Sequence, residues 1–277
     1  MTLKQVYEEG QKQLQNVGIE EAGLDAWYLL EYVTGMSRAQ YFLHMDEEID
    51  GEQERIYQSL VSKRAQRIPL QHLTGRQMFM GLDFIVNEHV LIPRQDTEVL
   101  VEEVLKDLKP DAQVLDMCTG SGCILISLLK LCDHVKGVGV DVSEEALGVA
   151  WKNAEQNKVE PLFLQSDLFE NVTGRYDVIV SNPPYIRTAV IDKLQEEVKL
   201  HDPWIALDGK EDGLYFYRKI IEESSNYLKL HGRLYFEIGH DQGNEVKRLM
   251  EENGFDQVTV KKDLAGLDRV VWGVYNI

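Results

Sequence analysis

Gln113-Val114-Leu115-Asp116-Met117-Cys118-Thr119-Gly120-Ser121-Gly122-Cys123 is the stretch around which the rest of the chain can be ordered. Gln113 to Met117 has the length and apolar content of a buried strand, and Cys123 to Leu131 is an apolar helix. Thr119-Gly120-Ser121-Gly122 lies where the strand must turn into the helix. Glycines there let the backbone approach a ligand, and the helix N-terminus offers free N–H groups. Nineteen residues beyond Gly122, Asp141 ends the next predicted strand, Val135 to Val140, where a carboxylate would meet a pair of ribose hydroxyls. A dinucleotide fingerprint would place a third glycine at 125, and the chain has Leu125. The glycine turn therefore specifies a nucleotide-like ligand without specifying which one.

Outward from this turn, strand and helix alternate, which predicts an α/β fold with a mostly parallel sheet covered on both faces. Ser143-Glu144 opens a helix to about Asn157, and Leu162 to Gln165 is a third strand ending at Ser166-Asp167. Asp167 could accept from an adenine amino group and Leu168 could pack on the base. Tyr176 to Val180 is a fourth strand. Further predictions are a helix over Tyr215 to Leu228, a strand over Arg233 to Ile238 and a helix over Gly243 to Asn253. The last two strands, Gln257 to Lys261 and Val270 to Val274, are joined by a short loop and should be antiparallel.

The fourth strand ends in Ser181-Asn182-Pro183-Pro184-Tyr185. Two prolines fix φ and withdraw two backbone donors, so the sheet cannot continue. The carbonyls of Asn182 and Pro183 lose their ladder partners, and the Asn182 side chain adds another acceptor. Tyr185 supplies an aromatic plane. Together they suit a planar nitrogen nucleophile, with two acceptors for its N–H groups and a ring to stack on. The glycine turn, Asp141, Asp167 and Asn182 all fall at the carboxyl ends of successive strands, an edge that lines one crevice in an open parallel sheet.

Residues 1–75 read as a small helical bundle. Thr2 and Gln5 form a capping box, Gly35 stops a second helix, Ser37 opens a third, and a fourth ends before Pro69. Residues 76–92 read as a β-hairpin linker around Gly81, and 93–277 as the α/β domain, entered by a helix that Asp96-Thr97-Glu98 would cap. The net charge of −18 counts against duplex binding, which needs cations to displace phosphate counterions. Lys63, Arg64, Arg67 and Arg76 are close in sequence and read either as a local basic face or, in preference, as cations opposing the dipole at a helix C-terminus. The apolar runs fall short of a membrane span, and Met1 to Gln5 lack the apolar stretch of a signal peptide. Cys118, Cys123 and Cys132 match no zinc spacing and read as packing residues of a reducing compartment. A cytoplasmic protein with no metal is expected.

The glycine turn, Asp141 and Asn-Pro-Pro-Tyr resemble class I S-adenosylmethionine-dependent methyltransferases that act on nitrogen. More narrowly, the chain resembles the PrmC/HemK family of release factor glutamine methyltransferases. The similarity includes Pro69 to Gly75, Leu91 to Glu98, Asp202 to Leu207 with Asp212-Gly213-Leu214, Glu237-Ile238-Gly239 with Gln242-Gly243, and Asp263 to Gly266 before Asp268-Arg269. The resemblance implies a seven-stranded catalytic sheet, an N-terminal domain for substrate recognition, and methyl transfer to the Gly-Gly-Gln glutamine of class I release factors. S-adenosyl-L-homocysteine would be the product. The resemblance assigns the cofactor to Thr119, Gly120, Ser121, Gly122, Cys123 and Asp141, joined by Asp167, Leu168 and Asn182. Asn182, Pro183, Pro184 and Tyr185 would hold the glutamine, with Asn182, Pro183 and Tyr185 catalytic. A monomer with no membrane or direct nucleic-acid partner is implied. The chain departs from the family at Met117-Cys118, where Leu-Gly is usual, and at Leu168, where some members carry tryptophan. Adenine-N6 methylation, which needs the same acceptors, is the nearest rival; a non-catalytic subunit and an NAD-linked oxidoreductase are further ones.

Overall fold

A computed structural model describes residues 1–276. In chain order, the helices α1 (Leu3–Asn16), α2 (Ala22–Thr34), α3 (Arg38–His44), α4 (Gly51–Ala65) and α5 (Leu70–Thr74) come first. The hairpin β1 (Arg76–Phe79) and β2 (Leu82–Ile85) follows, then α6 (Gln95–Leu105), β3 (Gln113–Met117), α7 (Cys123–Leu131), β4 (Lys136–Asp141) and α8 (Glu144–Asn157). Next are β5 (Leu162–Gln165), β6 (Tyr176–Ser181) and three short helices, α9 (Thr188–Ile191), α10 (Glu196–His201) and α11 (Trp204–Leu207). The chain closes with α12 (Tyr215–Ser224), β7 (Leu228–Glu237), α13 (Gly243–Glu252), β8 (Phe255–Lys262) and β9 (Asp268–Tyr275).

These elements form two compact units, one of residues 1–75 with 196–201 and one of 76–195 with 202–277. In the first, the predicted capping box forms at Thr2/Gln5, Ser37 opens α3 with a second box to Gln40, and Gly35 ends α2 in the left-handed region. Leu3, Val6, Leu14, Leu29, Leu30, Trp27 and Val61 meet in its core. The helix α10 belongs here although it follows β6 in the chain, because its Glu197 is bound to Arg64. Arg64 is buried, donating from Nε to Asp25 at 2.6 Å and from Nη2 to Glu197 at 2.8 Å. Arg67 donates to the Val17 carbonyl at 2.7 Å. Arg64 and Arg67 are thus spent inside the unit rather than facing solvent as a basic patch.

The second unit is organised by a seven-stranded sheet of order β5-β4-β3-β6-β7-β9-β8, parallel except where β9 pairs with β7 and β8. Alternation along each strand fills two cores. Val114, Val178, Val180 and Tyr235 point to the face covered by α6, α7 and α8, whereas Leu115, Ile179, Leu234 and Phe236 point to α12 and α13. The hairpin turns at Met80-Gly81, both with positive φ as a two-residue primed turn requires, and buries Phe79 and Phe84 in the first of these cores. It is part of this unit's core rather than a bare linker.

Two predicted boundaries move. The helix expected to reach Leu228 ends at Ser224, because Leu228 already pairs with Tyr176 as the start of a longer, bulged strand. The helix α6 starts at Gln95 with no side-chain cap, its polar first-turn residues being used elsewhere. Glu98 accepts from the Met80 amide at 2.6 Å. Most important for function, the chain order reverses between β3 and β6. The turns after β3 and β6 therefore open side by side, with those after β4 and β5 beyond.

Candidate active site

The turn after β3 is fastened on several sides. The Thr119 amide donates to Val140 at 2.9 Å, the Gly120 amide to Asp141 Oδ2 at 2.9 Å, and the Ser143 amide to Asp141 Oδ1 at 3.0 Å. Asn153 on α8 donates to the Ser121 carbonyl at 2.9 Å. Gly122 has φ +78°, and a Cβ there would come within 2.9 Å of Ile126, so a side chain is excluded by backbone and packing together. As the N-cap of α7, Gly122 leaves the helix N-terminus without a side-chain cap. Cys118 occupies the left-handed region at φ +62°, a conformation that suits the glycine usual at that place.

Three carboxyl groups at this sheet edge are shifted by burial. Asp116 is fully buried and accepts from the Thr119 hydroxyl at 2.5 Å; burial pushes its pKa up to about 7. Burial also raises Asp141, against the pull of the Ser143, Gly120 and Val142 amides. Glu237, at the end of β7, is pushed up to about 7, again chiefly by burial. The thiol of Cys123 is raised to about 12 by burial and that of Cys118 further, so neither is a ready nucleophile.

A cleft of about 960 Å³, counting its open mouth, runs along the carboxyl ends of these strands. Of the residues singled out in the sequence, Thr119, Gly120, Ser121, Cys123, Asp141, Asp167, Leu168, Asn182 and Pro184 line it. Gly122, Pro183 and Tyr185 do not. Gly122 faces Ile126, Ala150 and Phe163, Pro183 is buried, and Tyr185 turns toward Glu237.

The Asn-Pro-Pro-Tyr turn is held from behind. The Tyr185 hydroxyl donates to Glu237 Oε1 at 3.4 Å, and burial raises its pKa well above the usual phenol range. The Tyr185 carbonyl accepts from Gln242 Nε2 at 3.1 Å, which also reaches the Gly213 carbonyl at 3.2 Å. Gln242 Oε1 accepts the Gly239 amide at 2.9 Å, so its amide can point only one way. Gly213 has φ +77°, and a Cβ there would sit 2.4 Å from the Tyr185 carbonyl oxygen. The Ile186 amide donates to the Leu207 carbonyl at 3.0 Å, and the Gly209 amide to the Ile186 carbonyl at 2.8 Å. On the other side, Asn182 Nδ2 donates to Thr97 Oγ1 at 3.4 Å.

Sequence reasoning from individual residues missed Thr97, Gln242 and the stretch Pro203, Ile205 and Ala206 that also walls the cleft. Thr97 did leave a signal: it sits at the i position of an apolar face formed by Leu100, Val101 and Val104. Glu237 supports the turn through Tyr185 rather than merely ending its strand.

Residues 5–75 match the family model of the PrmC N-terminal domain, and residues 94–199 that of the methyltransferase small domain. A release factor glutamine methyltransferase of Geobacter sulfurreducens is 41% identical over 98% of this chain and 96% of its own length. The chain belongs to the release factor glutamine methyltransferase family. A second family member, from Agrobacterium fabrum, is 38% identical over 94% of this chain and 93% of its own. The fold is shared with a methyltransferase from Pyrococcus furiosus at TM-score 0.57 and 19% identity, covering 78% of this chain and 100% of that one. In this chain the first matched segment falls on the helical unit, and the second starts beside α6 and takes in the glycine and Asn-Pro-Pro-Tyr turns.

Proposed function

We propose that the protein transfers a methyl group from S-adenosyl-L-methionine to the side-chain amide nitrogen of the Gly-Gly-Gln glutamine in class I release factors. The observation that carries this reading is that Asn182 and the Gly120–Asp141 turn line one cleft. The residues present fit the cofactor. The position of a Cβ on Gly120 is open space, the α7 N-terminus lacks a side-chain cap, and Asp141 and Asp167 line the cleft with carboxylates that suit ribose hydroxyls and an amino group. Thr119, Gly120, Ser121, Cys123, Asp141, Asp167 and Leu168 would hold it, with Gly122 shaping the turn behind them. When bound, S-adenosyl-L-methionine supplies an electrophilic methyl on sulfur and leaves as S-adenosyl-L-homocysteine.

The chain's own task is to make a poor nucleophile attack. An amide lone pair is delocalised into its carbonyl, so the nitrogen must be held with both N–H bonds engaged. Asn182 Oδ1 and the Pro183 carbonyl accept those two bonds and direct the lone pair along the line of displacement. Their dipoles also face the positive charge that develops on nitrogen. No strong base is needed, because the methylated, cationic amide loses its proton readily to water. Pro184 lines the cleft and would frame the amide plane, whereas Tyr185, turned toward Glu237, anchors the turn from outside the cleft together with Gln242. The helical unit serves substrate recognition, and the enzyme acts as a cytoplasmic monomer.

The test is Asn182→Ala assayed on purified release factor. Turnover should fall on the order of 10²- to 10³-fold, the usual effect of losing one preorganised polar contact to the reacting group. Affinity for S-adenosyl-L-methionine, read by calorimetric titration, should stay within a few-fold. Equal loss of both would make Asn182 a cofactor ligand instead.

A further inference from the structure

Asn153 on α8 is fully buried, and its single amide makes three bonds. Its Oδ1 accepts the Ile85 amide at 2.6 Å, and its Nδ2 donates to the Ile85 carbonyl at 3.0 Å and to the Ser121 carbonyl at 2.9 Å. A flipped amide would set N–H against N–H at Ile85 and oxygen against two carbonyls, so only one orientation fits. Ser121 belongs to the glycine turn that lines the cleft. Ile85 is the last residue of β2, and the chain leaving it supplies His89, Val90, Leu91, Pro93 and Arg94 to the same cleft. Val86 and Val90 pack on Ala146 and Val149, so this stretch is seated on the helix that carries Asn153. The hairpin has other anchors. Phe79 and Phe84 lie in the core, and the Asp83 carbonyl accepts Gln156 Nε2 at 2.8 Å and Asn157 Nδ2 at 2.9 Å. Of these α8 side chains, Asn153 is the one that joins the end of the hairpin to the glycine turn.

We propose that Asn153 is a positioning residue of the cofactor site: its buried amide fixes the glycine turn and the chain leaving β2 against each other, at the spacing that lets both meet S-adenosyl-L-methionine. The proposal rests on the reading of the cleft as the cofactor site given above. It makes the hairpin a buttress of that site, acting through a side chain that does not itself line the cleft.

The experiment compares Asn153→Ala with Asn157→Ala, which loosens the hairpin at Asp83 and leaves the glycine turn untouched. Asn153→Asp, which keeps the acceptor for Ile85 and loses both donors, takes the place of the alanine variant if that one does not fold. Calorimetric titration of S-adenosyl-L-methionine into the full chain gives Kd, and methyl transfer to purified release factor at saturating cofactor gives kcat. Asn153→Ala should raise Kd about 10- to 100-fold, the change expected when buried hydrogen bonds behind a site are unmade, and Asn157→Ala should leave it within about twofold. At saturating cofactor kcat should stay within about threefold in both, because Asn182 and Pro183 are unchanged. A Kd within twofold of wild type in Asn153→Ala, or an equal rise in both variants, would overturn the proposal. So would a fall in kcat as large as the rise in Kd, which would place the effect at the reacting amide. A wild-type protein that does not bind S-adenosyl-L-methionine would instead overturn the cofactor reading, and the role of Asn153 with it.

Discussion

The helical unit and the sheet edge both bury charge, and they treat it in opposite ways. In the helical unit Arg64, 5% exposed, is placed between Asp25 and Glu197 and also reaches the Ile68 carbonyl at 3.3 Å. The acids there have a cation of their own. At the sheet edge Asp116 is fully buried beside a hydroxyl and a second acid, Asp141, with no cation among the groups that set its pKa. Glu237 has Arg269 nearby, but Arg269 is committed to Asp96 and Asp263 at 2.9 and 3.1 Å. Burying acids without dedicated partners costs stability. The first arrangement is what a fold needs to join distant segments. The second holds a glycine turn and an amide in place for a reaction, and the chain tolerates its cost there.

The difference can be attacked from the paired side first. Arg64→Ala leaves Asp25 buried without a cation, while Glu197, partly exposed, keeps Arg67 at 3.8 Å, and should destabilise the protein by about 3–5 kcal/mol in denaturant unfolding. A loss below about 1 kcal/mol would mean that the ionic triad behaves like an exposed surface pair and that the contrast is false.

From the unpaired side the effect is smaller and depends on pH. The folded pKa of Glu237, about 7, lies above its ordinary value of 4.5, so folding favours the protonated form. That contribution is fully present below about pH 4.5 and is lost as pH rises through about 7. The groups facing it are Thr97, Arg269, Asp96 and Tyr185. Asp116 acts with the same sign. The lowered carboxyls Asp208, Asp212 and Asp263 act oppositely, but below their ordinary value of 3.8. Unfolding free energy should therefore decline between pH 5 and about 7.5, and Glu237→Gln should flatten that slope by at most on the order of 3 kcal/mol. An unchanged slope in the variant would remove Glu237 from the set of costly acids.

Much of this was legible in the chain because short-range chemistry specified it. The glycine turn, the strand alternation and the double proline depend on local backbone geometry, and so Thr119, Asp141 and Asn182 could be placed on one edge before any coordinates. The helix α10 could not be assigned to the helical unit, because the tie that binds it, Arg64 to Glu197, spans 133 positions. Asp96-Thr97-Glu98 read as a cap because capping uses the same residue types, whereas the fold sends Glu98 to the hairpin and Thr97 to Asn182. Tyr185 read as a stacking ring, and nothing near it in sequence announces that Glu237 and Gln242 take its hydroxyl and carbonyl.

The most direct test of the central claim is methyl transfer from labelled S-adenosyl-L-methionine, offered in parallel to purified release factor and to adenine-containing DNA and RNA. The account predicts a single methyl on the Gly-Gly-Gln glutamine, lost when that glutamine is replaced. Label on adenine, or an unlabelled release factor with the cofactor bound, would contradict it.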